Sequence, residues 1–146
     1  MSIEENKALA RRFFAEVADG GHLDRAAEMM AADYRHHDPG LPPELQGSRD
    51  AYINHFPMYT TAFPDMRIAV DDVVADGDKV ATRWTLTGTH NGNLMGMPPT
   101  GKRVDCSAIT IQRIAGGMIV EGWTIFDALG MMQQVGAVPS PGQANG

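Results

Sequence analysis

Residues 87–103, TGTHNGNLMGMPPTGKR, decide how the rest of the chain is read. The stretch runs out of one strand, through a loop dense in Gly, Asn and Pro, and into another strand at Arg103. On its N-terminal side, Arg67–Val74 and Lys79–Thr89 alternate apolar and polar residues about a turn at Ala75-Asp76-Gly77-Asp78. On its C-terminal side, Arg103–Ile114 and Met118–Ile125 repeat that period across Ala115-Gly116-Gly117. The C-terminal half is therefore a run of strands linked as hairpins.

Upstream the period lengthens. Ser2 and Glu5 stand at capping-box spacing, and Leu9, Phe13 and Val17 follow at intervals of four, which predicts a helix ending at Gly20-Gly21. A shorter helix is expected over Leu23–Ala31, then a brief extended piece over 33–40. Ser48 caps a third expected helix carrying Tyr52, Phe56, Tyr59 and Phe63 on one face, which Pro57 should kink or split. A closing helix over Ala128–Val135 begins at Asp127, read as its N-cap. Helices followed by hairpins make an α+β domain: N-terminal helices packed on a curved antiparallel sheet, with a cavity between them for a small, mostly apolar ligand. One domain is expected over residues 1–136, and a disordered tail over 137–146.

Composition narrows the partners. The chain has 146 residues and a net charge of −6, without a basic cluster, which argues against nucleic acid. Cys106 is the single cysteine, so no disulfide or thiolate metal site forms within one chain. The opening MSIEENKALARR has acids where a secretory signal has basic residues, and no apolar run reaches the roughly 18 residues of a membrane helix. A cytoplasmic protein without membrane contact is expected.

The loop carries a more specific signal. Within 87–103, the pattern G-x-P-P-T-G-K at Gly96–Lys102 resembles the strand-loop-strand signature of the SnoaL-like polyketide cyclases, a branch of the nuclear-transport-factor-2-like cone fold. Asn6-Lys7 with Arg12-Phe13-Phe14 resembles that family's opening helix, Asp33-Tyr34 with His37-Asp38-Pro39-Gly40 its first short strand, and Gly117–Asp127 its last strand. The resemblance spans about residues 3–136. It implies the cone-shaped fold, a homodimer, and cofactor-free enzymes that close a ring of an aromatic polyketide by intramolecular aldol condensation. The same fold also serves dehydratases, isomerases, hydrolases and non-catalytic binding modules.

Two departures bear on chemistry. The aldol cyclases carry an aspartate on the last strand and a histidine two residues before it; the corresponding residues here are Thr124 and Gly122. Gly117-Met118-Ile119 on one side and Asp127 and Gly130 on the other anchor that register. A threonine hydroxyl is no general base near neutral pH, though it donates or accepts a hydrogen bond or positions a water. The preceding strand's polar pair is replaced by Ala108 and Thr110. Its inward face then reads Val104, Cys106, Ala108, Thr110 and Gln112, a pocket with fewer ionisable groups and more room.

His36 falls where the family places a polar pocket residue, and its reference pKa of roughly 6.5 suits acid–base work; the alternative is a half-exposed loop histidine. His36 and Thr124 are thus the expected catalytic residues, with Val17, Tyr52, Phe56, Trp84, Met97 and Thr110 as the substrate-binding wall. His37 is expected to face outward, Asp38 to form a turn before Pro39, and Glu121 and Trp123 to lie on the outer face of the sheet. His90 reads as a solvated turn residue, and Cys106 as a small apolar one. The histidines are too scattered for a metal site, and no glycine-rich fingerprint implies a nucleotide, so no cofactor or metal is expected. The leading expectation is a cofactor-free enzyme of natural-product metabolism performing cyclisation, isomerisation, dehydration or hydration on a polycyclic or otherwise largely apolar small molecule. A binding module and a cofactor-free oxygenation partner are the alternatives.

Overall fold

Ser2 accepts a hydrogen bond from the Glu5 N–H, and the Glu5 carboxylate accepts one from the Ser2 N–H, closing the capping box that starts helix α1 (Ile3–Phe13). The computed structural model describes residues 2–45 and 47–139; most of the expected tail lies outside them. After α1 the chain runs on through a wider, π-type turn, Phe14–Asp19. Ala10, Phe13 and Val17 on the inner side of this segment are fully buried. Burial of Phe13 and of Val17 stabilises the fold by roughly 1.5–3 kcal/mol each.

Short helix α2 (Ala26–Met29) ends two residues earlier than its apolar spacing suggests, because Met30 already adopts extended backbone. Strand β1 (Met30–His37) therefore absorbs the end of the expected second helix as well as the expected extended piece. A two-residue strand, β2 (Gly47–Ser48), leads into α3 (Arg49–Asn54). Pro57 lacks the N–H that a continuous helix would need, and it sits in the first turn of a separate helix, α4 (Phe56–Ala62). Long strands β3 (Arg67–Asp76), β4 (Lys79–Thr89), β5 (Arg103–Ala115) and β6 (Met118–Phe126) follow, then α5 (Ala128–Gln134). Asp127 caps α5 by accepting the Gly130 N–H at 2.9 Å. The β5–β6 turn places both Gly116 and Gly117 at positive φ, 59° and 78°, where side chains are disfavoured.

The six strands form one sheet in the order β2-β1-β6-β5-β4-β3. It is mixed rather than wholly antiparallel, since β1 runs parallel to β6. The buried residues of β5 alternate strictly, so Val104, Cys106, Ala108, Thr110 and Gln112 all face the helices. Among the described residues, no helix is long and apolar enough to cross a membrane.

Candidate functional site

The helices and the inner face of the sheet enclose a cavity lined by Phe14, Ala18, Asp38, Tyr52, His55, Phe56, Tyr59, Met66, Ile68, Trp84, Leu86, Thr124 and Phe126. Its free volume is about 40 Å³, room for roughly a few waters, so a ring-sized ligand enters only as the aromatic side chains that fill it move aside. Aromatic rings take up the space: Trp84 stacks on Phe126 at 5.9 Å between centroids, and Tyr59 meets Phe126 edge-on at 5.9 Å.

Asp38 is the one carboxyl group among the described residues lining this cavity. Its Oδ1 accepts the Gly40 N–H at 2.9 Å, the turn expected before Pro39. Yet the residue is buried, and burial pushes its pKa above the ordinary aspartate value despite the opposing Gly40 bond. The same side chain thus shapes a turn and presents a desolvated acid. Tyr59 lines the cavity too; burial, with Asp38 and Cys106 adding to it, pushes its phenol up to about 12, so it stays a hydrogen-bond donor. Burial likewise raises the Tyr52 phenol, with the Asp38 charge acting in the same direction.

His55 is a titratable group on the cavity wall that no sequence pattern singled out. Its Nδ1–H donates to the Tyr52 carbonyl, which leaves Nε2 as the unprotonated nitrogen of the neutral ring. Burial lowers its pKa, and the Tyr52 bond opposes the shift. The signals for both residues were local: an aspartate before proline, and a histidine at a helix break, four residues before Tyr59 and three after Tyr52.

His36 stands outside the cavity lining. Its imidazole lies against Tyr52, 3.7 Å between centroids, and is 2% exposed. The Tyr34 hydroxyl is 2.7 Å from its Nδ1, and its Nε2 is buried without a hydrogen-bond partner. Burial, then the neighbouring His55 and His37, pushes the pKa of His36 down to about 3. The expectation of a group titrating near neutrality is corrected: desolvation opposes the imidazolium form.

The other expected site residues divide. Tyr52, Phe56, Trp84 and Thr124 line the cavity. Thr110 sits just behind it, its hydroxyl 2.9 Å from that of Thr124 and accepting the Trp84 Nε1–H at 3.0 Å. Val17 and Met97 are not among the lining residues: Val17 is packed into the core and Met97 lies against its edge. His90 is fully buried rather than solvated, with Nδ1 2.9 Å from the Thr100 hydroxyl, where it ties down the 87–103 loop. On the outer face, Glu121 accepts bonds from Arg113 and contacts the ring nitrogen of the exposed His37, which stacks on Trp123. The described residues contain no cluster of three or more His, Cys, Asp or Glu side chains suited to a metal ion.

The comparisons agree with this architecture. Residues 8–135 match the model of the SnoaL-like polyketide cyclase family. Aklanonic acid methyl ester cyclase DnrD of Streptomyces peucetius is 32% identical over 132 residues, covering 88% of each chain. Among solved structures, AclR, a candidate hydroxylase from Streptomyces galilaeus, superposes with a TM-score of 0.84 at 28% identity, covering 95% of this chain and 85% of its own. IdmH, a candidate polyketide cyclase from Streptomyces antibioticus, gives 0.80 at 33% identity over 90% of this chain and 98% of its own. The family match spans nearly all of the described chain, the fold superposes on that of the solved relatives, and the chain belongs to the SnoaL-like polyketide cyclases.

Proposed function

We propose that this protein is a cofactor-free enzyme of natural-product biosynthesis that closes or rearranges a ring in an apolar ketone or ester, with Asp38 as its proton carrier. The observation that supports this reading is a buried carboxyl group on the wall of an aromatic cavity, its pKa raised by desolvation. A pKa moved toward working pH lets one group take a proton and return it. In an aldol closure, Asp38 removes a proton next to a carbonyl and the electron pair forms an enolate. The enolate carbon bonds to a second carbonyl carbon as that carbon–oxygen π bond breaks. Asp38 then returns the proton to the new alkoxide, so the product is an isomer of the substrate.

Neutral Tyr59 donates within the same cavity, and His55 offers Nε2 as an acceptor. His36, neutral and covered by Tyr52, supports the wall. The position that holds a carboxylate in the aldol cyclases is Thr124, which favours a binding module as the second reading.

Two copies meeting through the sheet would suit the outer face. Val74, Ile109, Ile111 and Ile125 are exposed there, with Ile109 opposite Ile125 and both Val74 and Ile111 opposite Ala81.

The test uses aklanonic acid methyl ester, named in the activity of a 32% identical relative, with simpler aryl ketones. Turnover and deuterium wash-in from D₂O next to the carbonyl are read separately by mass spectrometry. Asp38→Asn should lower both by roughly 10² to 10⁴, the usual worth of acid–base help, while His36→Gln should change them less than about tenfold. Full activity in Asp38→Asn would remove Asp38 as the proton carrier. Tight binding without turnover or exchange across the panel would establish the binding module instead.

A further inference from the structure

Three threonines stand in register across the inner face of the sheet: Thr82 on β4, Thr110 on β5 and Thr124 on β6. Their hydrogen bonds are unequal. The Trp84 indole N–H donates to the Thr110 oxygen at 3.0 Å, and the Thr110 and Thr124 hydroxyls are 2.9 Å apart. Thr82, although adjacent, has a buried hydroxyl without a partner.

The direction of the Thr110–Thr124 bond follows from what Thr110 must satisfy. Its oxygen already accepts from an indole, which can only donate. Thr110 is 1% exposed, and its hydroxyl hydrogen has Thr124 as the one acceptor within reach among the described residues. If Thr124 were the donor, Thr110 would hold two donors on its oxygen and bury an unmatched hydrogen, the costlier arrangement. With Thr110 as donor, its oxygen and its hydrogen are both matched. The Thr124 oxygen is then occupied as an acceptor, and its own hydrogen remains for the cavity that the residue lines.

We infer that Trp84, Thr110 and Thr124 form a one-way donor chain ending in a carbonyl-oxygen binding subsite on the β6 wall of the cavity. Each donor polarises the next, so the terminal hydroxyl donates better than an isolated threonine. The ligand group it selects is an acceptor without a hydrogen of its own: a ketone or ester carbonyl, or the enolate oxygen formed from one. The subsite deepens the acid–base reading of this cavity and rests on that reading only for what happens to the carbonyl once bound. The position that holds a carboxylate in the aldol cyclases becomes the electrophilic partner here, and the proton-removing role moves to Asp38, which follows His37 where β1 pairs with Trp123 of β6 and lines the same cavity.

Binding, not turnover, tests the subsite. The probes are 1-indanone and indane, which differ at the carbonyl, measured by titration calorimetry and by the infrared carbonyl band of the bound ketone. The wild type should bind the ketone about five- to tenfold more tightly than the hydrocarbon, the worth of one neutral hydrogen bond. Its carbonyl band should lie below that of the ketone in an apolar solvent. Thr124→Val should abolish the preference and the band shift together. Thr110→Val, which leaves Thr124 in place, should shrink the shift, and Thr110→Ser, which keeps the relay, should restore it; a merely structural Thr110 would not produce that pattern. Equal affinity for the two probes, an unshifted band, or no binding of either would overturn the subsite. A ketone preference that persists while Asp38→Asn leaves turnover intact would sink the proton-carrier reading and leave the subsite standing.

Discussion

The Tyr34 hydroxyl occupies the space beside Gly122 that a side chain there would need: a Cβ on Gly122 would lie 2.2 Å from Tyr34 Oη and 3.1 Å from His36 Nδ1. Gly122 pairs with His36 between β6 and β1, and the Tyr34 hydroxyl bonds the His36 ring over it. A side chain at residue 122, where the resemblance to the aldol cyclases implies a histidine, would therefore compete with this tyrosine–histidine pair for the same space. Tyr34 keeps its proton, because burial raises its pKa well above the phenol range. The phenol both donates and accepts, so the direction of its bond to His36 Nδ1 follows the tautomer of the imidazole.

Gly122→Ala should destabilise the protein by about 2 kcal/mol or more, by forcing the Tyr34 ring out of a fully packed position. Tyr34→Phe removes the atom that clashes, at the cost of the His36 bond. The double variant should thus be more stable than the sum of the two single losses predicts, a coupling that a denaturant-unfolding double-mutant cycle measures directly. Additive losses would show that the two residues do not compete for this space.

The His36 pair also makes stability depend on acid. The folded-state pKa of about 3 lies below the unfolded value of roughly 6.5. The unfolded chain therefore binds a proton between these values while the folded chain does not. The stabilisation is fully present above the unfolded pKa and is lost as pH falls toward 3. Between pH 7 and pH 5 the loss should be about 2 kcal/mol. His36→Gln should flatten that part of the curve, measured by urea unfolding at the two pH values. An unchanged slope would mean that His36 is protonated in the folded state.

Much of the fold was legible because strand and helix periods were clean. The two hairpins, the capping box at Ser2 and the Asp127 cap rest on local chemistry that does not depend on distant partners. The helix-to-strand boundary at Met30 was not legible, since Ala and Met residues suit either state and the parallel pairing with β6 decides it. The site was harder to read for the same reason. Alternation along β1 correctly turns His36 inward and His37 outward, but it is silent on Tyr52, which arrives from α3 and covers His36. Asp38 carries a turn signal that is real, and the turn is what places its carboxyl against the cavity. One residue serving two purposes cannot be separated by spacing alone.

Asp38 should also leave a mark on stability, of opposite sign to His36. Its folded-state pKa is raised, so the folded chain holds this proton to higher pH than the unfolded chain does. That contribution is fully present below the ordinary aspartate pKa and is lost as pH rises through the raised value. Asp38→Asn should thus remove a loss of stability on the alkaline side of that window. Thermal unfolding of both proteins from pH 4 to pH 8 reads it as a Tm difference that grows with pH. A difference that shrinks as pH rises would show that the carboxylate form is the favoured one in the fold.

A carboxyl group at residue 124 tests the geometry of the β6 wall, beside the β1 strand end that carries Asp38. Thr124 lines the aromatic cavity, 2.9 Å from the Thr110 hydroxyl. An aspartate there would be desolvated by Trp84 and Phe126, which raises its pKa above the reference of roughly 3.9, while the Thr110 hydroxyl would partly offset the shift by donating to the carboxylate. Thr124→Asp should therefore be least destabilising in acid and lose stability as pH rises through the raised pKa, the direction expected of a carboxyl group favoured in its neutral form. A carbon-detected NMR titration of the new side chain gives the pKa directly. A solvent-like value would place residue 124 in contact with water and undo the cavity assignment. A value depressed below the reference would mean that the Trp84–Thr110 donor chain outweighs burial, and Thr110→Val in the same background would then move the pKa upward.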